Sequence, residues 1–148
     1  MLKYLFYLLP VLCGVTITTQ ASVNSQLRAS IQNPIAAAFI SFATGTIILF
    51  FAVLAYRQGF PSVSELKQVS WHQYTGGLLG AFFVTVIIFA LPKIGSANMF
   101  ILIIAGQLIT SLLYDHFGVL GAQVQEINWK KIVGVAMVIA GAYIANKK

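Results

Sequence analysis

Apolar residues along this chain neither alternate strictly nor keep to one helical face. They run for about the thickness of a bilayer, stop at short polar punctuation, and start again. Five such runs are legible, at approximately 4–27, 34–56, 74–91, 96–114 and 130–146. At about 1.5 Å of rise per residue, runs of this length match a hydrocarbon core of roughly 30 Å. The punctuation suits helix ends. Gln32-Asn33-Pro34 puts proline in the first turn of the second run, where its missing N–H costs little. Pro92-Lys93-Ile94-Gly95 reads as a tight turn, Phe117-Gly118 as a break, and Trp71, Tyr74 and Trp129-Lys130-Lys131 as interfacial edges. Lipid offers no water to a bare backbone, so spanning segments of this kind must be helical. The pattern predicts an all-α membrane protein, a five-transmembrane-helix bundle forming a single membrane domain over residues 1–148. The longest polar gap, roughly 57–73, is too short to hold a soluble domain.

Polar residues inside the runs are not scattered. Thr16, Gln20 and Asn24 stand at i, i+4 and i+8 of the first run, with Thr19, Ser22 and Gln26 nearby. Such a face must meet protein or a water-filled cavity. Helix-to-helix hydrogen bonding is one reading. A cavity lining is the other, favoured by Gln and Asn, which are bulky and bond several partners; Thr and Ser can bond back to their own helix. The fourth run repeats the spacing with Gln107, Ser111 and Asp115, and Asn98 lies earlier on a nearby face. Two such stripes can converge on one solvated pocket. Small residues recur at helical spacing as well: Ala37-Ser41-Gly45, Gly76-Gly80 and Ala136-Ala140. They allow close helix packing where lipid supplies no hydrophobic drive, and the last set, on the terminal run, is a candidate dimer seam.

Composition agrees with a lipid solvent: 59% of the 148 residues are hydrophobic and 8% charged, against about a quarter charged in soluble domains. The net charge of +6 raises nucleic acid as a partner. The cations, however, sit singly or in pairs at run ends, which is the pattern of membrane-edge anchors, and nucleic-acid binding is not expected. Lys3 followed by Tyr4–Val15 resembles a signal peptide, but no small-residue cleavage site follows and further spans do. With five spans, the N-terminal side of the membrane receives Lys3, Arg57, Lys67, Lys130 and Lys131, and the opposite side receives Arg28, Lys93, Lys147 and Lys148. All three acids, Glu65, Asp115 and Glu126, fall on the N-terminal side. Orientation follows Lys and Arg counts, and five against four is close to no instruction. A fixed N-terminus-inside topology and insertion in both orientations both stay open.

The remaining chemistry is sparse. Cys13 is the sole cysteine, so no disulfide forms within the chain. Two histidines and edge-placed acids make neither a metal ligand set nor a nucleophile–base pair, and no enzyme activity, metal or cofactor is expected. No carboxylate stands mid-span, which argues against exchanging lipophilic cations for protons. Asp115 beside His116 serves either as a proton relay or as an interfacial cap on its helix.

Gln20-x3-Asn24, Pro34 opening the second run, Gly106-Gln107-x3-Ser111-x3-Asp115-His116-Phe117-Gly118, and the terminal Lys131-Ile132-x-Gly134 with Gly141 together resemble the YdcZ-like family. This is a half-size, five-span branch of the drug/metabolite transporter superfamily, and the likeness covers essentially the whole chain. It implies one half of an inverted-repeat transporter fold in the bacterial cytoplasmic (inner) membrane. It also implies a dimer, either a homodimer in opposite orientations or a heterodimer with a paired homologue, that moves a small metabolite or drug. Related small multidrug exporters keep an acid in the first span; Gln20 and Asn24 stand here instead. The expectation is a secondary transporter for a small neutral or zwitterionic solute, with Thr16, Gln20, Asn24, Asn98, Gln107 and Ser111 binding it. A non-transporting membrane scaffold or regulatory subunit, and a narrow channel, are the alternatives.

Overall fold

The structure, a computed structural model, describes residues 2–56 and 59–146. All regular structure among them is helical: α1 Leu2–Ile31, α2 Pro34–Ala55, α3 Val63–Gln68, a 3-10 turn Trp71–Thr75, α4 Gly76–Ile94, α5 Ser96–Phe117, a second 3-10 turn Val119–Gly121, and α6 Trp129–Asn146. Among the described residues three segments are long and apolar enough to cross a membrane: Pro34–Ala55, Trp71–Ile94 and Ser96–Phe117. Polar residues fill the second half of α1, and two lysines open α6, so composition alone does not add these two helices. Of the cations counted for orientation, Arg57, Lys147, Lys148 and the side chain of Lys3 lie outside the described residues.

The chain divides into two compact units, Met1–Lys93 and Ile94–Lys148. In the first, α1 and α2 are joined by a turn built from two side chains. Gln32 takes a positive φ of 54° and its amide donates to the Ala29 carbonyl at 2.7 Å. That bond satisfies one of the carbonyls left open at a helix end. Asn33 then caps α2, its Oδ1 accepting from the Ala36 N–H at 3.0 Å, with Pro34 in the first turn. The turn lays α1 back against α2. Ala37, Ala38, Val84 and Ile88 form the core of this unit, with Leu27 and Phe83 packed on it. Two small alanines on α2 leave room at this seam for the larger Val84 and Ile88 of α4. Gly80 serves the same seam: a Cβ there would stand 3.3 Å from the Phe42 ring.

The stretch between α2 and α4 is not a featureless gap. Ser62 and Glu65 make a reciprocal capping box: the Glu65 N–H donates to Ser62 Oγ, and the Ser62 N–H donates to Glu65 Oε2 at 2.7 Å. This Ser-x-x-Glu signature is what allows six residues to hold a helix. The hydrogen bonds from Ser62 hold the Glu65 carboxyl below its ordinary pKa, because they favour the charged form. At the other end α4 runs through Pro92 to Ile94, so the turn expected over Pro92–Gly95 shrinks to Gly95 with φ +80°. Pro92 falls in the last helical turn, so the bond it cannot donate to the Ile88 carbonyl is lost only near the helix end.

In the second unit α5 packs against α6. Gly118, in the left-handed region, closes α5 and donates its N–H to the Tyr114 carbonyl. The chain then doubles back, which brings the Val124 side chain so near that a Cβ on Gly118 would meet it at 2.9 Å. Asn128 caps α6, its Oδ1 accepting from the Lys131 N–H at 3.0 Å.

Candidate functional site

The polar stripe of α1 proves to be of two kinds. Its hydroxyls are turned onto their own helix. Thr16 donates to the Leu12 carbonyl at 2.8 Å, Thr19 to that of Val15 at 2.9 Å and Ser22 to that of Thr18 at 3.2 Å. This back-bonding spends the hydroxyl proton locally and leaves an oxygen free only to accept. The two amides separate by burial. Asn24 is 4% exposed, on the inward face it shares with Ala21, whereas Gln20, one turn earlier, is exposed.

Gln20 lines a cavity of about 210 Å³ together with Ser41, Phe42, Gly45, Thr46 and Leu49 of α2. α1 contributes the amide. α2 contributes two hydroxyls across a floor opened by Gly45, which has nothing within 4 Å of where a Cβ would stand. The Thr46 hydroxyl donates to the Phe42 carbonyl at 2.8 Å, so its oxygen, like that of Thr16, is left as an acceptor. The lining holds hydrogen-bonding groups and apolar carbon and no charge. Two further cavities flank α2, one of about 280 Å³ lined by Leu49, Ala52, Val53, Tyr56 and Gly59, the other of about 250 Å³ lined by Thr46, Leu49, Phe50, Val53 and Phe60. They are larger, but each has a single polar side chain in its lining, Tyr56 in the first and Thr46 in the second. Recognition needs a few convergent polar groups, so the Gln20 cavity is the better candidate. Its volume falls below the roughly 300–1,000 Å³ of complete small-molecule sites, as a partial site would.

On α5, Gln107 and Ser111 are exposed and Asn98 is half-buried. Ser111 also bonds back, donating to the Leu108 carbonyl at 3.0 Å. Asp115 and His116 stand at the helix end, where the chain returns. The Gln125 N–H donates to the Asp115 main-chain carbonyl at 2.8 Å, and the Ile127 N–H donates to His116 Nδ1 at 3.4 Å. The His116 ring also meets Phe117 edge to face, at 4.7 Å between centroids. Lys131 completes the fastening, its ammonium donating to Gln125 Oε1 at 3.3 Å. These contacts give the pair a structural part, holding the segment before α6 onto the end of α5.

Among the described residues no three His, Cys, Asp or Glu side chains lie close enough to hold a metal ion. Ser41 and Thr46 were missed as site residues by reasoning from the sequence. In the sequence Ser41 stands out by its size, within the Ala37-Ser41-Gly45 packing row, and a lone Thr in an apolar helix carries little signal. The available cue was that α2 must lie antiparallel to α1 after so short a turn, which sets Ser41 and Gly45 level with Gln20.

Comparison with known proteins extends this picture. Residues 5–144 match the family described as "Putative inner membrane exporter, YdcZ". The chain is 26% identical over 136 residues to "Inner membrane protein YdcZ" of Escherichia coli strain K12, covering 91% of this chain and 90% of that one. No solved structure matches the chain. Several helices fit to cross a bilayer, an uncharged groove between two of them, and a family match over nearly the full length lead to one conclusion: the chain belongs to the YdcZ family and is a multi-pass transporter-type protein of the inner membrane.

Proposed function

We propose that the protein is a secondary transporter that carries a small neutral or zwitterionic solute by alternating access. It works as a dimer of five-span halves, either two copies in opposite orientations or this chain with a paired homologue. The observation that carries the reading is the Gln20 cavity, in which an amide and hydroxyls of two adjacent helices converge without a charge. A carrier for lipophilic cations needs an acid at that place; a solute bearing its own donors and acceptors needs groups of this kind. Gln20, Ser41 and Thr46 bind directly, and Thr16 and Asn24, outside that lining, are assigned to the same solute one turn to either side along α1. The polar face of α5, with Asn98, Gln107 and Ser111, is the second set of groups assigned to the solute. Asp115 and His116 are assigned to proton coupling only if uptake responds to pH.

The five-span count rests on length and edges. α1 is 30 residues and α6 is 18, roughly 45 and 27 Å long at 1.5 Å per residue. Lysines opening α6 can reach back to the head groups along their own methylene stems.

Reconstitution into proteoliposomes tests the function. A panel of radiolabelled neutral and zwitterionic solutes is expected to include one with saturable uptake, reduced several-fold by Gln20→Ala and by Gln107→Ala. Unchanged uptake in both variants would remove the assigned site. Uptake that rises linearly with concentration would turn the reading into a channel.

A further inference from the structure

We infer that the connection between α2 and α4 is a lipid-binding surface element, with α3 lying in the head-group–acyl boundary and its apolar edge inserted. The geometry begins at Gly59, whose φ of +69° turns the chain back toward α2. Phe60 then packs on Phe50, ring centroids 5.4 Å apart. Phe50 stands five residues before the end of α2 at Ala55, so Phe60 sits about 7–8 Å below that end, within the membrane-crossing part of the helix. From that anchor Phe60, Val63, Leu66 and Val69 follow at three-residue spacing. All are exposed, Val63 to 69%. Pro61, Ser62, Ser64, Glu65, Lys67 and Gln68 occupy the other positions.

The far end of the connection is tied as well. The Tyr74 hydroxyl donates to the Leu66 carbonyl at 2.8 Å, fastening α3 to the segment Trp71–Ile94, which is long and apolar enough to cross the membrane. Trp71, 80% exposed, and Tyr74 are the residue types that settle at membrane interfaces. α3 is thus held between two spans, with its apolar row at a depth set by Phe60. Surface helices insert their apolar faces by about 5–10 Å, the depth the Phe50–Phe60 contact implies. The capping box supplies rigidity, closing the backbone and the Glu65 carboxylate on themselves so that the polar edge stays at the water side. Continuity with two spans makes lipid, rather than a second copy of the chain, the occupant of this face.

Site-directed spin labelling of the full chain tests this in nanodiscs of phosphatidylcholine and phosphatidylglycerol. Cys13 is exposed and is first replaced by Cys13→Ala. Single labels then follow through Val63→Cys, Leu66→Cys, Ser64→Cys and Gln68→Cys. The expected result is oxygen collision several-fold favoured over a water-soluble nickel complex at positions 63 and 66, and the reverse at 64 and 68. Nickel access at all four positions would place α3 in water and overturn the inference. Labels at 63 and 66 shielded from both agents would overturn it in favour of a protein partner on the same face.

Discussion

Gln20 and Asn24 differ by one helical turn and by nearly everything else. Both were legible as members of one stripe, because i and i+4 fix the same side of a helix. Burial separates them: Gln20 meets an open cavity, while Asn24 closes against the interior at 4% exposure. Periodicity gives an angle around a helix axis and says nothing of how far away the neighbouring helix stands. The same logic sizes a core substitution. Ile88 is fully buried among Ala37, Ala38 and Val84. In water, Ile→Ala at such a site costs about 2–5 kcal/mol, part of it lost transfer energy. In lipid the unfolded reference is already apolar, so chiefly the packing loss remains. Ile88→Ala is therefore expected to cost about 2 kcal/mol, read by unfolding in mixed micelles. A cost near 5 kcal/mol would show that the residue does more than fill space.

Helix ends were the most readable elements and α3 the least. Asn33-Pro34, Gly95 and Gly118 declare themselves through local chemistry: a cap, a proline at a first turn, and glycines able to take positive φ. α3 was passed over as a polar gap because six residues carry too little periodicity to register. Only its Ser62-x-x-Glu65 box betrays it. That box makes α3 sensitive to acid. The Glu65 pKa is lowered in the folded helix by its bonds to Ser62. Its contribution is present above the ordinary glutamate range and is lost as pH falls through the lowered value. Amide protection factors over Val63–Gln68, exchange rates divided into the intrinsic rate at each pH, are expected to fall on such acidification in the natural protein. They are expected to stay flat with pH in Glu65→Gln, which keeps the box without the titration, and to be low throughout in Glu65→Ala. Equal acid response in all three would mean that the box does not hold α3.

For the whole molecule the near balance of Lys and Arg, five against four if the five proposed spans all cross, meets the proposed antiparallel pair. A reporter fused at Lys148 is expected to give signal on both sides of the membrane. Adding two lysines to the α1–α2 turn reverses the small excess and is expected to collapse the signal to one side. One-sided signal from the unmodified chain would leave a paired homologue of opposite topology, or a parallel dimer, as the working assembly. The balance is fragile because a single residue can cancel the excess and two reverse it, which makes it testable by small edits.

The sequence by itself determined the solvent, the all-helical backbone, most helix ends, the family and the uncharged character of the polar faces. Lipid leaves the backbone no partner but itself, and caps act within one turn, so these features are written locally. Tertiary structure alone decided that Gln20 shares a cavity with Ser41 and Thr46, that Asn24 is buried, and that Phe60 folds back on Phe50. Those outcomes depend on the spacing between helices that local pattern does not encode.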